Sequence, residues 1–198
     1  MKIRNIRKLY KTCHTPQNVV QHMRAVAKLA VAIAKKILTN GNQVHLELIR
    51  DLALLHDLMK ALSFKNYKNL PRKTAKDDTA YYLAMKKKFP HAHDTEITAH
   101  LLKQCGEPRL AESIVSQQFD AVISKSHPLR SLEERIVYYA DKRICHTEKV
   151  PLRQRLDEGY SRYAPGKKPT QKIKKIEKKI FDLEKELSRL AGINIARI

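Results

Sequence analysis

Tryptophan is absent from this 198-residue chain, glycine is scarce at five residues, and cysteine occurs three times. Scarce glycine argues against the many tight, left-handed turns of a β-sandwich or barrel. Cys13, Cys105 and Cys145 are odd in number, widely spaced and form no CxxC pair, which argues against a disulfide framework and a cysteine zinc site. Such usage fits a reducing cytoplasm. Long hydrophobic runs are also missing. The longest strictly apolar stretch near the N-terminus, residues 29–34, is far too short to cross a bilayer, and MKIRNIRKLYK has no apolar signal core behind its basic residues. The expectation is a soluble, cytoplasmic protein without membrane contact. Acidic residues are the last shortage: 20 Asp and Glu against 40 Lys and Arg leave a formal charge of +20. That balance attracts polyanions in a salt-dependent way; a Lys-rich surface without any partner is the plain alternative.

What is present is helical. The composition, 42% hydrophobic and 30% charged with long proline-free stretches, predicts an all-α globular protein of one domain with an appendage. Thr15 and Pro16 predict an N-cap and first turn, after which Val19, Met23, Val26, Leu29, Ile33 and Ile37 recur at helical spacing until Asn40 and Gly41. A second helix, starting after Asn42, carries Leu48, Ile49, Leu52 and Leu55 up to His56 and Asp57; the short connection makes the two antiparallel neighbours. Residues 61–76 read as a basic loop. Helices follow over 78–89, stopped by Pro90, over 94–104, ended by Gly106, and over 108–119. Ser131 with Glu134 forms a capping-box signature for a helix running through Val137, Asp141 and Ile144, and residues 152–163 add another. After the break at 165–169, Ile173, Ile176, Ile180, Leu183, Leu187 and Leu190 alternate in steps of three and four. This predicts a C-terminal Lys-rich helix, residues 166–198, that packs on the 1–165 domain or forms a short coiled coil. There is no internal repeat.

Ionisable residues interrupt three of these apolar stripes. His22 shares a face with Val19, Val26 and Leu29; His56 is in line with Ile49 and Leu52; Asp141 lies one turn from Val137. A lone inward histidine is ordinarily a hydrogen-bonded core residue. Buried carboxylates need a cation or a donor, and two of them near two imidazoles can share one divalent metal.

These residues resemble a known family. His22, the His56–Asp57 dyad and Asp141 in YYADK match the H…HD…D pattern of the HD superfamily of metal-dependent phosphohydrolases, in order and spacing, over residues 18–143. ALLHDLMK is similar to the ALLHDIGK form of the HDIG subgroup, with Lys60 extending the likeness. The resemblance implies an all-α helical bundle holding one divalent ion (Mn, Fe, Zn, Ni, Co or Mg) on His22, His56, Asp57 and Asp141, and activating water for attack on phosphorus. Met59 replaces the usual glycine, and Gln117 and Gln118 stand where many HDIG proteins carry a histidine pair, which favours a mononuclear site over a binuclear one.

Around that set, Lys60 is the candidate to meet a substrate phosphate, with a solvated helix-end lysine as the alternative. Asp57 and Asp141 are both candidates to orient the attacking water, and His93, near a rim position of the family, to serve as acid or phosphate donor. Lys65, Lys68, Arg72 and Lys73 form a candidate lid over an anionic substrate, Lys65 and Arg72 contacting it. In the tail, KKPTQKIKKIEKK carries seven Lys against one Glu but no interleaved aromatics, so specific single-strand recognition is not supported. The leading reading is a metal-dependent phosphohydrolase acting on a phosphomonoester or phosphodiester of a small compound, a nucleotide first. The alternative is a basic nucleic-acid or polyanion-binding protein with a relic site.

Overall fold

A computed structural model describes residues 3–64 and 75–198. Its helices are α1 (Ile3–Thr12), α2 (Gln17–Thr39), α3 (Leu46–Leu55), α4 (Ala75–Lys88), α5 (Asp94–Gln104), α6 (Pro108–Val115), α7 (Leu132–Asp141), α8 (Leu152–Tyr163) and α9 (Gln171–Ala191). A 3₁₀ turn, Lys60–Ser63, follows α3, and a short antiparallel hairpin, β1 (Ile144–Cys145) and β2 (Glu148–Lys149), follows α7. The fold is all-α apart from that hairpin. No helix among the described residues is long and apolar enough to cross a membrane.

The longest helix, α2, is the axis. Met23, Val26, Ala30, Ile33 and Ile37 are fully enclosed, and α3, α7 and α9 pack around them. The Met, Val and Ile side chains among them each contribute roughly 1.5–3 kcal/mol of gross hydrophobic stabilisation. On α9 the residues Ile176, Ile180, Leu183 and Leu187 face this core, while Lys174, Lys175, Lys179 and Lys185 face solvent. The alternating spacing therefore marks the seam by which α9 docks on its own domain.

Some boundaries differ from those the pattern predicts. Pro16, not Thr15, takes the N-cap position of α2, and the Thr15 hydroxyl instead donates to the Leu58 carbonyl at 3.0 Å. The 78–89 helix begins earlier, at Ala75, and the 108–119 helix ends earlier, at Val115. The helix expected to run through Ile144 stops at Asp141, and Ile144 opens the hairpin. Helix α1 has no counterpart in the pattern read from the sequence: among its described side chains Ile6 and Tyr10 are buried and Leu9 is half-buried against the core, and Tyr10 is anchored from afar, its hydroxyl donating to the Leu54 carbonyl.

The C-terminus of α9 is fixed by the turn after α2. Asn40 and Asn42 both donate side-chain N–H groups to the Leu190 carbonyl, at 3.0 and 2.9 Å. Gly192 ends the helix in the left-handed region (φ = 65°), and a Cβ there would stand 2.7 Å from Asn40 Oδ1. Gly192→Ala should therefore lower the unfolding free energy by about 1–2 kcal/mol from backbone strain alone, read by urea denaturation. An unchanged midpoint and slope would show that neither the left-handed turn at Gly192 nor its close approach to Asn40 bears on stability.

Candidate metal centre

Helix α3 ends at Leu55, and the chain then makes consecutive tight turns, with amide-to-carbonyl bonds from Leu58 to Leu55, Lys60 to Asp57 and Leu62 to Met59. Leu58, Met59 and Ala61 plug the core and hold these turns in place, leaving His56, Asp57 and Lys60 for the site. Met59, at φ = −102°, needs no glycine: its backbone is ordinary and its side chain is buried.

His56 Nδ1–H donates to the Ala53 carbonyl at 2.8 Å, and His22 Nδ1–H donates to the His146 carbonyl at 2.8 Å. A carbonyl only accepts, so each ring carries its proton on Nδ1 in the neutral state and presents an Nε2 lone pair. Both lone pairs point at one carboxylate oxygen: Asp141 Oδ1 is 2.9 Å from His22 Nε2 and 3.5 Å from His56 Nε2. His56 Nε2 is buried and has no hydrogen-bond partner among the described residues. Acceptors facing an acceptor in low dielectric repel, unless a proton or a cation stands between them.

Those three groups offer ligand atoms within 4.8 Å of one another. Two imidazoles and a carboxylate suit a divalent transition metal, and each imidazole is already oriented by a second hydrogen bond, as ligating histidines are. The residues present therefore fit the ion. Asp57 flanks them, its Oδ2 at 3.7 Å from His56 Nε2 and 4.0 Å from His22 Nε2. The charges of the group compensate one another. Burial alone would favour neutral His56, but Asp57 and Asp141 outweigh it and raise its pKa. Burial likewise pushes Asp141 up, and the Lys142 ammonium with the two imidazoles holds it well below the usual carboxylate range.

Three participants were not assigned roles from the sequence. Lys142 lies 2.6 Å from Asp141 Oδ2 and 4.4 Å from the centre of the Tyr138 ring, so it pins the carboxylate from behind. The His146 carbonyl that orients His22 comes from the hairpin tip, where His146 itself adopts a left-handed backbone (φ = 56°). Asp94 is buried at the start of α5, accepts the Ser63 hydroxyl at 2.7 Å and lies 3.9 Å from Lys60 Nζ. The apolar spacing of α5 gave no sign that its first residue reaches the site; a buried acid beside a basic partner can be seen only in three dimensions.

The remaining candidates are placed as follows. Lys60 Nζ stands 3.5 Å from Asp57 Oδ1, and Asp57 raises its pKa against the opposing effect of burial. His93 is the exposed N-cap of α5, its Nδ1 3.0 Å from Asp94 Oδ1 and 3.3 Å from the Thr95 amide. It is thus joined to Lys60 through Asp94. Gln118 donates to Thr95 Oγ1 and Gln117 to Ser116 Oγ, so both amides are engaged in holding α5 and α6 rather than in the His–Asp group. Lys65, Lys68, Arg72 and Lys73 lie outside the described residues. Cys145, His146 and Glu158 also approach within 4.8 Å, but both Glu158 oxygens are taken, by Arg155 and Arg162, whereas Lys142 takes only Oδ2 of Asp141 and leaves Oδ1 to the imidazoles.

A family model for the HD domain matches residues 19–144, well over half of the chain, and the protein belongs to the HD domain family. HD domains are in general metal-dependent phosphohydrolases, and they bind divalent metals. No curated protein and no solved structure matched the chain.

Two outcomes test the centre. After reconstitution, elemental analysis should find about one divalent ion per chain, little in Asp141→Asn, and a 10–100-fold weaker affinity, roughly, in Lys142→Met, which releases the carboxylate from its anchor. Wild-type affinity in the Lys142 variant would remove Lys142 from the centre. Second, proton and metal compete for His56 Nε2. Because its pKa is raised, affinity should weaken as pH falls, beginning above the range of a free imidazole. Calorimetric affinities that stay flat from about pH 8 to about pH 6 would contradict this.

Proposed function

We propose that the protein is a metal-dependent phosphohydrolase cleaving a phosphomonoester or phosphodiester of a small phosphorylated compound, a nucleotide first among them. The observation that carries this reading is the convergence of two imidazole lone pairs on Asp141 beside a second carboxylate and an ammonium. His22, His56 and Asp141 would hold the ion, with Asp57 alongside. A divalent ion bound there supplies Lewis acidity, lowering the pKa of a water and polarising a phosphoryl oxygen.

The chain's own groups divide the remaining work. The Lys60 ammonium, steadied between Asp57 and Asp94, offers positive charge to a phosphate at the rim of the centre. Asp57, with one oxygen towards Lys60 and the other towards the imidazoles, is placed to orient a water or accept its proton. Lys142 and the two backbone carbonyls fix the ligand set before substrate arrives, which is the preorganisation such chemistry requires. His93 acts on Lys60 through Asp94 in this arrangement.

A second reading has its own support. Many carboxylates are engaged inside the molecule: Asp51 against Arg50, Glu133 on the His45 amide, Glu134 in the α7 cap, and Asp57, Asp94 and Asp141 at the site. The outer surface therefore carries more of the +20 charge than an even distribution would give, and α9 presents a lysine face, which suits a nucleic acid or another polyanion.

Phosphate release from a panel of nucleotides and phosphodiesters by the metal-loaded protein separates the two. The hydrolase reading expects turnover that falls by about 100-fold or more in Asp57→Ala and a raised KM in Lys60→Ala. No release from any member of the panel, together with a salt-sensitive gel shift whose affinity is the same in Asp57→Ala, would favour the polyanion reading.

A further inference from the structure

The carbonyl that orients His22 comes from a hairpin with two residues in each strand: Ile144 pairs with Lys149 and Cys145 with Glu148, which leaves His146 and Thr147 as the tip. A lone two-stranded ladder is at best marginally stable in water. This one also keeps His146 in the left-handed region, which residues bearing a side chain adopt at a cost. What holds the tip against His22 therefore has to act from the base of the hairpin.

Arg143 closes that base. Its carbonyl accepts the Val150 amide at 2.9 Å and its Nε donates to the Val150 carbonyl at 2.8 Å, so one residue binds both backbone groups of Val150. Its other two nitrogens reach away from the hairpin: Nη1 donates to the Tyr139 hydroxyl at 2.8 Å, and Nη2 to the Ala196 carbonyl at 3.1 Å. The Tyr139 hydroxyl donates in turn to Glu184 of α9 at 2.5 Å, and that carboxylate lies 3.8 Å from Nη1. The guanidinium is buried, and its rigid planar fork ties the hairpin to α7, to α9 and to the turn beyond α9. From α8 the hairpin receives a further bond, from Arg155 Nε to the Ile144 carbonyl at 2.8 Å.

The effect is felt at His22, because a neutral imidazole has two tautomers. With the His146 carbonyl in place, Nδ1 is the donor and Nε2 keeps the lone pair that can ligate. Without that carbonyl the opposite tautomer finds a partner at once, since an Nε2–H would donate to Asp141 Oδ1, 2.9 Å away. That tautomer puts a proton where the ion would bind. The position of the hairpin thus selects between a ring that can hold a metal and one that cannot.

We infer that Arg143 is a positioning residue of the metal centre: by fastening the hairpin to Tyr139, Glu184 and Ala196 it keeps the His146 carbonyl on His22 and so fixes the tautomer that ligates. Helix α9, an appendage by its sequence, then takes part in the centre through Glu184. The inference concerns the ligand set and goes beyond the hydrolase reading, since it holds whatever ester is cleaved.

The test uses the full chain and two readouts. Long-range proton–nitrogen correlation spectra of the histidine rings, recorded without metal at about pH 9 to observe neutral imidazole, report the tautomer of His22; calorimetry reports its affinity for manganese. The wild type should carry the His22 proton on Nδ1. Arg143→Met should move it to Nε2 in a large fraction of molecules and weaken manganese binding by about 10–100-fold. Arg143→Lys, which keeps the charge but not the fork, should fall between the two. Should Arg143→Met fail to fold, Tyr139→Phe, which removes the hydroxyl joining Arg143 to Glu184, should move both readouts in the same direction. As a control, Ile176→Ala takes buried packing from α9 two turns before Glu184, and should leave tautomer and affinity at their wild-type values. A proton retained on Nδ1 with unchanged affinity in the Arg143 or Tyr139 variant, or equal losses in Ile176→Ala, overturns the positioning role. The tautomer is read without metal and phosphate release enters neither measurement, so this role and the hydrolase reading fail separately.

Discussion

The molecule is organised around an electrostatic problem: two imidazole lone pairs and a carboxylate oxygen are driven into one small, partly buried space. No packing argument favours that arrangement. Each ring is turned into it by a backbone carbonyl bound to the other nitrogen, and the carboxylate is held by a lysine that lies over an aromatic ring. The helices that carry these groups are the ones that bury the core, α2 and α7 directly and α3 through the turns that follow it. The site is therefore as rigid as the domain. The repulsion among these acceptors is relieved by a proton or by a cation between them.

Much of the fold could be read from local chemistry. The start of α7 follows from the Ser131–Glu134 capping box, in which each residue satisfies the other's amide. The limits of α5 and α8 follow from the breaks around them, and the buried face of α9 from its three-and-four spacing. What escaped the reading depends on distant partners. Helix α1 has a thin apolar face and owes its place to Ile6 and Tyr10 in the core, with Cys13 just beyond its end. The Thr15 hydroxyl, a good cap in a local view, finds a carbonyl 43 positions away instead.

The candidate site divides in the same way. Three polar residues on apolar stripes pointed to His22, His56 and Asp141, the resemblance added Asp57 through the His56–Asp57 dyad, and in the structure the four side chains lie together. Asp94 and the His146 carbonyl had no such signature. One is the first residue of a helix whose pattern says only that its later positions are buried. The other is a main-chain oxygen, which no side-chain pattern can reveal. The importance of Lys142 follows only from its direction, since an exposed lysine would carry the same letter in the same place.

The hairpin after α7 has a consequence for how the centre comes into being. Asp141 and the carbonyl that turns His22 towards it lie five residues apart in one segment, which docks on α2 across a sequence separation of 119 or more. Before docking, His22 has neither its counter-charge nor a defined tautomer, so no half-built version of the centre exists on either segment alone. The complete ligand set then belongs to the assembled state, and a metal bound to it adds to that state's stability by as much as it prefers that set over the unfolded chain's own His and Asp. A cell short of the ion would hold less folded protein as well as less active protein, and metal supply would act on the abundance of the chain.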